Sequence, residues 1–153
     1  MPNFETIYGP VAAVEEPGAL ELELYGFLHG FPQCDATKAD HFRAASRILW
    51  NKETKEFVWH PWADDMLEAA CEQKWLGLVG CGSCGKTDFA AVWAIINWLA
   101  DMMNTKVLDT STSLKESRKR IWGSICEYWQ AAPGLPGKLV DSLGMIRTQG
   151  YLT

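Results

Sequence analysis

Apolar positions recur at helical spacing between Thr37 and Trp50, where Phe42, Ala45 and Leu49 share one face. Thr37 and Asp40 stand at the spacing of a capping box, which predicts a helix opening there. Pro61 suits the first turn of a second helix, with Asp64 and Asp65 near its positive end and Trp62, Met66, Leu67 and Ala70 as its apolar stripe. The most apolar run is Phe89–Ala100, interrupted by Asn97 and closed by Asp101. It falls short of the roughly 20 residues that span a bilayer and reads as a buried helix. A fourth helix is expected from Ser113, capped by Glu116, with Leu114, Ile121, Trp122, Ile125 and Trp129 inward. Its other face carries Lys115, Arg118, Lys119 and Arg120.

Between these helices lie short β-type runs. "EFVWH" (56–60) follows a polar turn, and "WLGLV" (75–79) is compact and apolar on both faces, as a buried parallel strand would be. "TKVLDTSTS" (105–113) reads as a second strand running into a cluster of hydroxyls. "APGLPGK" (132–138) breaks the last helix, and "SLGMIRTQ" (142–149) opens a third strand. Strand, helix, strand, helix, strand is the order of an α/β fold with a parallel sheet flanked by helices. Residues 1–36 are rich in Gly and Pro and predict irregular structure or short strands, so 1–59 reads as a lead-in and 60–153 as the domain proper.

Composition alters this picture little. With 153 residues, 48% hydrophobic and 22% charged, the chain has room for one core. Eight tryptophans imply extensive aromatic burial or a surface meant for a partner. A net charge of −5 argues against binding nucleic acid through overall positive charge but leaves a local basic patch open. Five irregularly spaced cysteines do not form a secreted disulfide framework. The opening "MPNFETIYGP" has neither a basic nor an apolar leader segment. Both features predict a reducing cytoplasm and no membrane.

Chemistry concentrates in "LVGCGSCGKTDFAAVW" (78–93), which holds two signals. Gly80, Gly85, Lys86 and Thr87 form G-x-x-x-x-G-K-T, with an apolar run before and a helix after. That arrangement predicts a phosphate-binding loop of residues Gly80, Cys81, Gly82, Ser83, Cys84, Gly85, Lys86, Thr87 and Asp88. Glycines there turn backbone N–H groups toward phosphate oxygens, and a helix N-terminus adds partial positive charge. Lys86 would reach the outer phosphates of ATP, and the Thr87 hydroxyl would ligate Mg²⁺. Cys81 and Cys84 form C-x-x-C, but no second C-x-x-C or C-x-x-H completes a zinc site. Both thiols fit variable positions of the loop without a role of their own, although a thiol at a helix N-terminus gains reactivity from a lowered pKa. On sequence the nucleotide reading takes precedence.

Taken together, "HPWADDML", "GCGSCGKTDFAAVWAIINWL", "TSTSLKESRKRIWGSI" and "LPGKLVDSLGMIR" resemble the ATPase domain of a tailed-phage terminase large subunit, over about His60 to Gln149. The resemblance implies a P-loop NTPase that couples ATP hydrolysis to the pumping of double-stranded DNA. Its partners would be a portal protein, a small terminase subunit and further copies in a ring. It makes Lys86 and Thr87 catalytic, and points to Thr110, Ser111, Thr112, Ser113, Arg118 and Arg120 as contacts to nucleic acid.

Three departures qualify it. No arginine lies between Gly80 and Gly85, and Ala63, beside Trp62, stands where the family often has an adenine-reading glutamine. Asp109 and Asp141 each follow two apolar residues, but neither is followed by the glutamate that would orient water. The expectation is therefore an incomplete motor, truncated before its acidic motif, that binds ATP and hydrolyses it poorly. The alternatives are a small P-loop kinase using Asp109 and a non-catalytic nucleotide-binding interaction domain.

Overall fold

The computed structural model describes residues 37–82, 84–102, 105–110, 113, 118–132, 134–148 and 151–152. Helix α1 spans Lys38–Leu49, α2 Pro61–Glu72, α3 Lys86–Ala100 and α4 Gly123–Ala131, the last preceded by a π-helical turn at Arg118–Trp122. Strands β1 (Lys138–Val140), β2 (Met145–Thr148) and β3 (Tyr151–Leu152) close the described chain. None of the described helices is long and apolar enough to cross a membrane.

The two N-terminal helices start where their local chemistry dictates. Thr37 Oγ1 accepts from the Asp40 N–H, and the Asp40 carboxylate accepts from the Thr37 N–H in return. Two orphan donors of the first turn are thereby satisfied. Pro61 occupies the opening turn of α2, where a missing N–H costs nothing. Arg43 ties the two helices together, donating from Nε to Asp64 and from Nη2 to Glu68 while Nη1 meets Asp40. These carboxylates hold the guanidinium firmly charged, raising its pKa further above its ordinary value.

Helix α3 is the centre of the core. Phe89, Ala91, Val92, Ala94, Ile95, Ile96, Trp98, Leu99 and Ala100 are all buried, as a helix apolar almost all round must be. Against it pack α1, through Phe42, Ala45 and Leu49, and α4, through Ile125 and Tyr128. Phe42 stacks on Trp93 with ring centroids 4.4 Å apart. A buried tryptophan N–H usually finds a hydrogen-bond partner. Trp50 Nε1 donates to the Tyr128 carbonyl at 2.7 Å, and Trp59 Nε1 to Ser46 Oγ at 2.8 Å. Trp98 Nε1 is buried with no such partner among the described residues.

The sheet differs from the α/β expectation. It is three-stranded, in the order β1-β2-β3, and antiparallel throughout. Lys138 faces Arg147, Leu139 faces Ile146 and Val140 faces Met145, across a 3₁₀ turn at Asp141–Leu143 closed by left-handed Gly144. The expected third strand thus exists at 145–148, but it pairs with a local neighbour. The expected strands at 75–79 and 105–113 do not form in the described residues: 75–82 and 105–110 have no strand pairing. Trp75 is 86% exposed, Val79 fully exposed and Leu108 84% exposed, where buried parallel strands would hide all three. Residues 56–60 are likewise outside any strand. The parallel-sheet, P-loop NTPase-type fold is therefore not the fold of this chain. Apolar content signalled a demand for burial but not a strand partner, and a strand exists only as a member of a pair.

Candidate functional site

The loop 80–85 joins the exposed 75–79 segment to α3, and three features shape it. Gly85, the N-cap of α3, has φ +79°, the left-handed region glycine enters at no steric cost. Its carbonyl starts the helix by accepting from the Phe89 N–H at 2.9 Å. A Cβ at Gly85 would also lie 2.5 Å from Cη2 of Trp62, so the benzo edge of that indole closes directly over the glycine. Gly80 is crowded from within, since a Cβ there would meet Cys84 Sγ at 3.3 Å and Lys86 Nζ at 3.4 Å.

Lys86 folds back into this loop. Its ammonium donates to the carbonyls of Gly80 (3.0 Å) and Cys81 (2.7 Å) and to Cys84 Sγ (3.0 Å). An ammonium has three N–H donors, and the loop occupies all of them. The Cys84 thiol is pulled below its ordinary pKa, chiefly by the hydrogen bond from Lys86 and with help from the Cys81 side chain. Cys81 is exposed and Cys84 half-buried, and both are free thiols. Two other cysteines behave oppositely: burial pushes the thiols of Cys71 and Cys126 up. One step further into α3, Asp88 accepts from Ser124 Oγ at 3.0 Å, tying the helix start to α4.

The predicted site residues are only partly brought together. Gly80, Cys81, Cys84, Gly85 and Lys86 form the cage just described. Gly82 has open space around it, Thr87 is exposed, and Ser83 lies outside the described residues. Of the hydroxyl cluster, Thr110 is exposed outside any regular element and Ser113 is exposed at a bend, while Ser111 and Thr112 lie outside the described residues. Arg118 and Arg120 sit in the π-helical turn, the latter exposed. Asp141, a candidate acidic residue, opens the 3₁₀ turn of the antiparallel hairpin and accepts from Trp122 Nε1 at 2.8 Å.

These placements overturn the nucleotide reading. The loop is not preceded by a strand of a parallel sheet, and the cation meant for phosphate is bound by loop carbonyls and sulfur. Among the described residues no three His, Cys, Asp or Glu side chains converge to hold a metal ion. ATP and Mg²⁺ binding, ATP hydrolysis and the P-loop kinase and nucleotide-binding alternatives fall with that architecture. So does the terminase resemblance, with its double-stranded DNA, portal protein, small terminase subunit and ring of copies, because the described residues do not form the motor fold that would engage them. Comparison with known proteins offers no other assignment: no family model, no curated protein and no solved structure matches the chain.

What sequence reasoning missed is the use made of the same residues. Cys84 and Lys86 stand two apart across a glycine, and with Gly85 left-handed the Lys86 ammonium reaches Cys84 Sγ. The contact of Trp62 with Gly85 had no signal in the order of residues. A half-open apolar hollow of about 260 Å³ lies nearby, lined by Ala70, Lys74, Leu76, Leu78, Phe89 and Trp93 among others. No residue from Gly80 to Lys86 lines it.

Proposed function

We propose that the chain acts through the dithiol of its 80–86 loop, as a thiol–disulfide exchange centre with Cys84 as nucleophile and Cys81 as resolving thiol. The observation that carries this reading is the 3.0 Å contact between Cys84 Sγ and Lys86 Nζ. A thiolate, rather than a thiol, is the attacking species, and an adjacent ammonium favours it. The co-reactant is a disulfide. The Cys84 thiolate attacks one of its sulfurs, the S–S bond breaks, and the departing sulfur leaves as thiolate. Cys81 then gives its proton to solvent and attacks Cys84 Sγ. That step closes an internal disulfide and releases the second sulfur of the co-reactant. The co-reactant gains two electrons and the loop dithiol loses two, so the step balances.

Iodoacetamide alkylation, followed residue by residue by mass spectrometry across pH, tests the nucleophile. The expected result is that Cys84 reacts at lower pH than Cys71 and Cys126, which burial protects. Replacing the ammonium by an apolar stem of similar length, Lys86→Met, should move the Cys84 midpoint upward. If wild-type Cys84 titrates as an ordinary thiol, the reading is wrong.

A further inference from the structure

We infer that Trp62 is a positioning residue for the thiol centre: its benzo edge holds Gly85 in the turn that returns Lys86 Nζ to Cys84 Sγ. The inference rests on the thiol-centre reading and adds a residue from a different helix to it. Trp62 lies in the first turn of α2, which is anchored by the fully buried Ala63 and Leu67, so the backbone carrying the indole is fixed by the core. Trp62 as a residue stays 39% exposed. It stacks on His60 with centroids 5.6 Å apart and planes 21° from parallel, which orients the ring. Its outer carbons then come up against Gly85, where a Cβ would meet Cη2 at 2.5 Å, Cζ2 at 3.3 Å and Cζ3 at 3.4 Å.

The loop is therefore closed from two sides. Outside stands the indole edge; inside, the carbonyls of Gly80 and Cys81 hold the Lys86 ammonium. Lys86 immediately follows Gly85, so displacement of the glycine carries the root of the lysine with it and lengthens the contact to sulfur. The groups acting on Cys84 are Lys86 and Cys81, and His60 is the titratable neighbour of the indole. None of them is removed by changing Trp62, which isolates the steric effect. Trp62 is not among the side chains of the hydrophobic core cluster, and its edge lies against a positive-φ glycine, so its role lies in the loop.

The test measures the Cys84 alkylation midpoint in Trp62→Ala and Trp62→Phe. Phenylalanine keeps an aromatic ring beside His60 but falls short of Gly85. Both variants should retain the wild-type far-ultraviolet circular dichroism, because the core side chains of α2 are untouched. Both should raise the midpoint toward that of Lys86→Met and slow alkylation at neutral pH several-fold, with Trp62→Ala the larger effect. A purely structural role would change thermal stability and leave the midpoint alone. If wild-type Cys84 has a depressed midpoint and folded Trp62→Phe shares it unchanged, the positioning role is overturned while the thiol centre stands. If the wild-type midpoint is ordinary, the thiol centre itself fails.

Discussion

The Lys86 ammonium stabilises the charged form of Cys84, and the sign of the consequence follows from the direction of the shift. A thiol whose folded pKa is depressed favours the folded state fully above the ordinary thiol value. That contribution is lost as pH falls through the depressed value. Lys86→Met removes it, so the difference in stability between wild type and variant should be greatest in alkaline solution and shrink on acidification. Denaturant melts at several pH values measure this; a difference that grew on acidification would contradict it. Gly85 makes a second residue-scale prediction. Gly85→Ala meets both the strain of φ +79° and the Trp62 ring, and should destabilise the fold by about 1–3 kcal/mol. Part of that loss should be recovered in the Trp62→Ala background, where only the backbone strain remains.

Helices are more legible in this sequence than strand pairings, and the difference is physical. The strand at 145–148 is expected but its antiparallel partner is not, and of the fourth helix the described residues show only 118–131. The capping box at Thr37 and Asp40, the first-turn proline of α2 and the apolar run of α3 are all local signals, and a helix satisfies its backbone within itself. Thr37→Ala should accordingly cost about 1 kcal/mol, the usual worth of a side-chain N-cap, read as a shift in the urea midpoint. Strand pairing depends on a second segment that no single run encodes. "WLGLV" has the composition of a central strand yet stays unpaired within the described residues, with Trp75 and Val79 exposed. The glycine loop misled for the same reason. Gly85 and Lys86 do form a turn entering a helix, but phosphate binding also requires the strand and sheet behind the loop. The thiol pair was visible as C-x-x-C; its contact with Lys86 appears only once Gly85 is left-handed.

Among the described residues, an aromatic-rich core built on α3 carries the stability, and Tyr128 on α4, 3% exposed, is a titratable group set deep in it. Burial, followed by the charges of Asp88 and Glu127, pushes its phenol up to about 12 from an ordinary 10.0. Lys55 lies over its ring at 4.4 Å and pairs with Glu127 beside it. A raised phenol pKa stabilises the fold below the unfolded value of about 10, and that contribution is lost as pH climbs through about 12. Two pKa units correspond to about 2–3 kcal/mol. The decline in stability between pH 10 and 12 should therefore be shallower in Tyr128→Phe than in wild type; equal slopes would contradict the buried phenol. Phe42, stacked on Trp93 between α1 and α3, tests the core itself. Phe42→Ala should cost about 3–5 kcal/mol in thermal or urea melts.

The thiol centre is tested most directly by exposing the whole chain to glutathione disulfide and mapping its cysteines by mass spectrometry. Cys84 should be modified first, with the internal Cys81–Cys84 disulfide as the product that accumulates in wild type. In Cys81→Ser, where no resolving thiol remains, the mixed disulfide should persist on Cys84. Modification of Cys84 no faster than that of Cys71 and Cys126, or failure of the internal disulfide to form, would contradict the account.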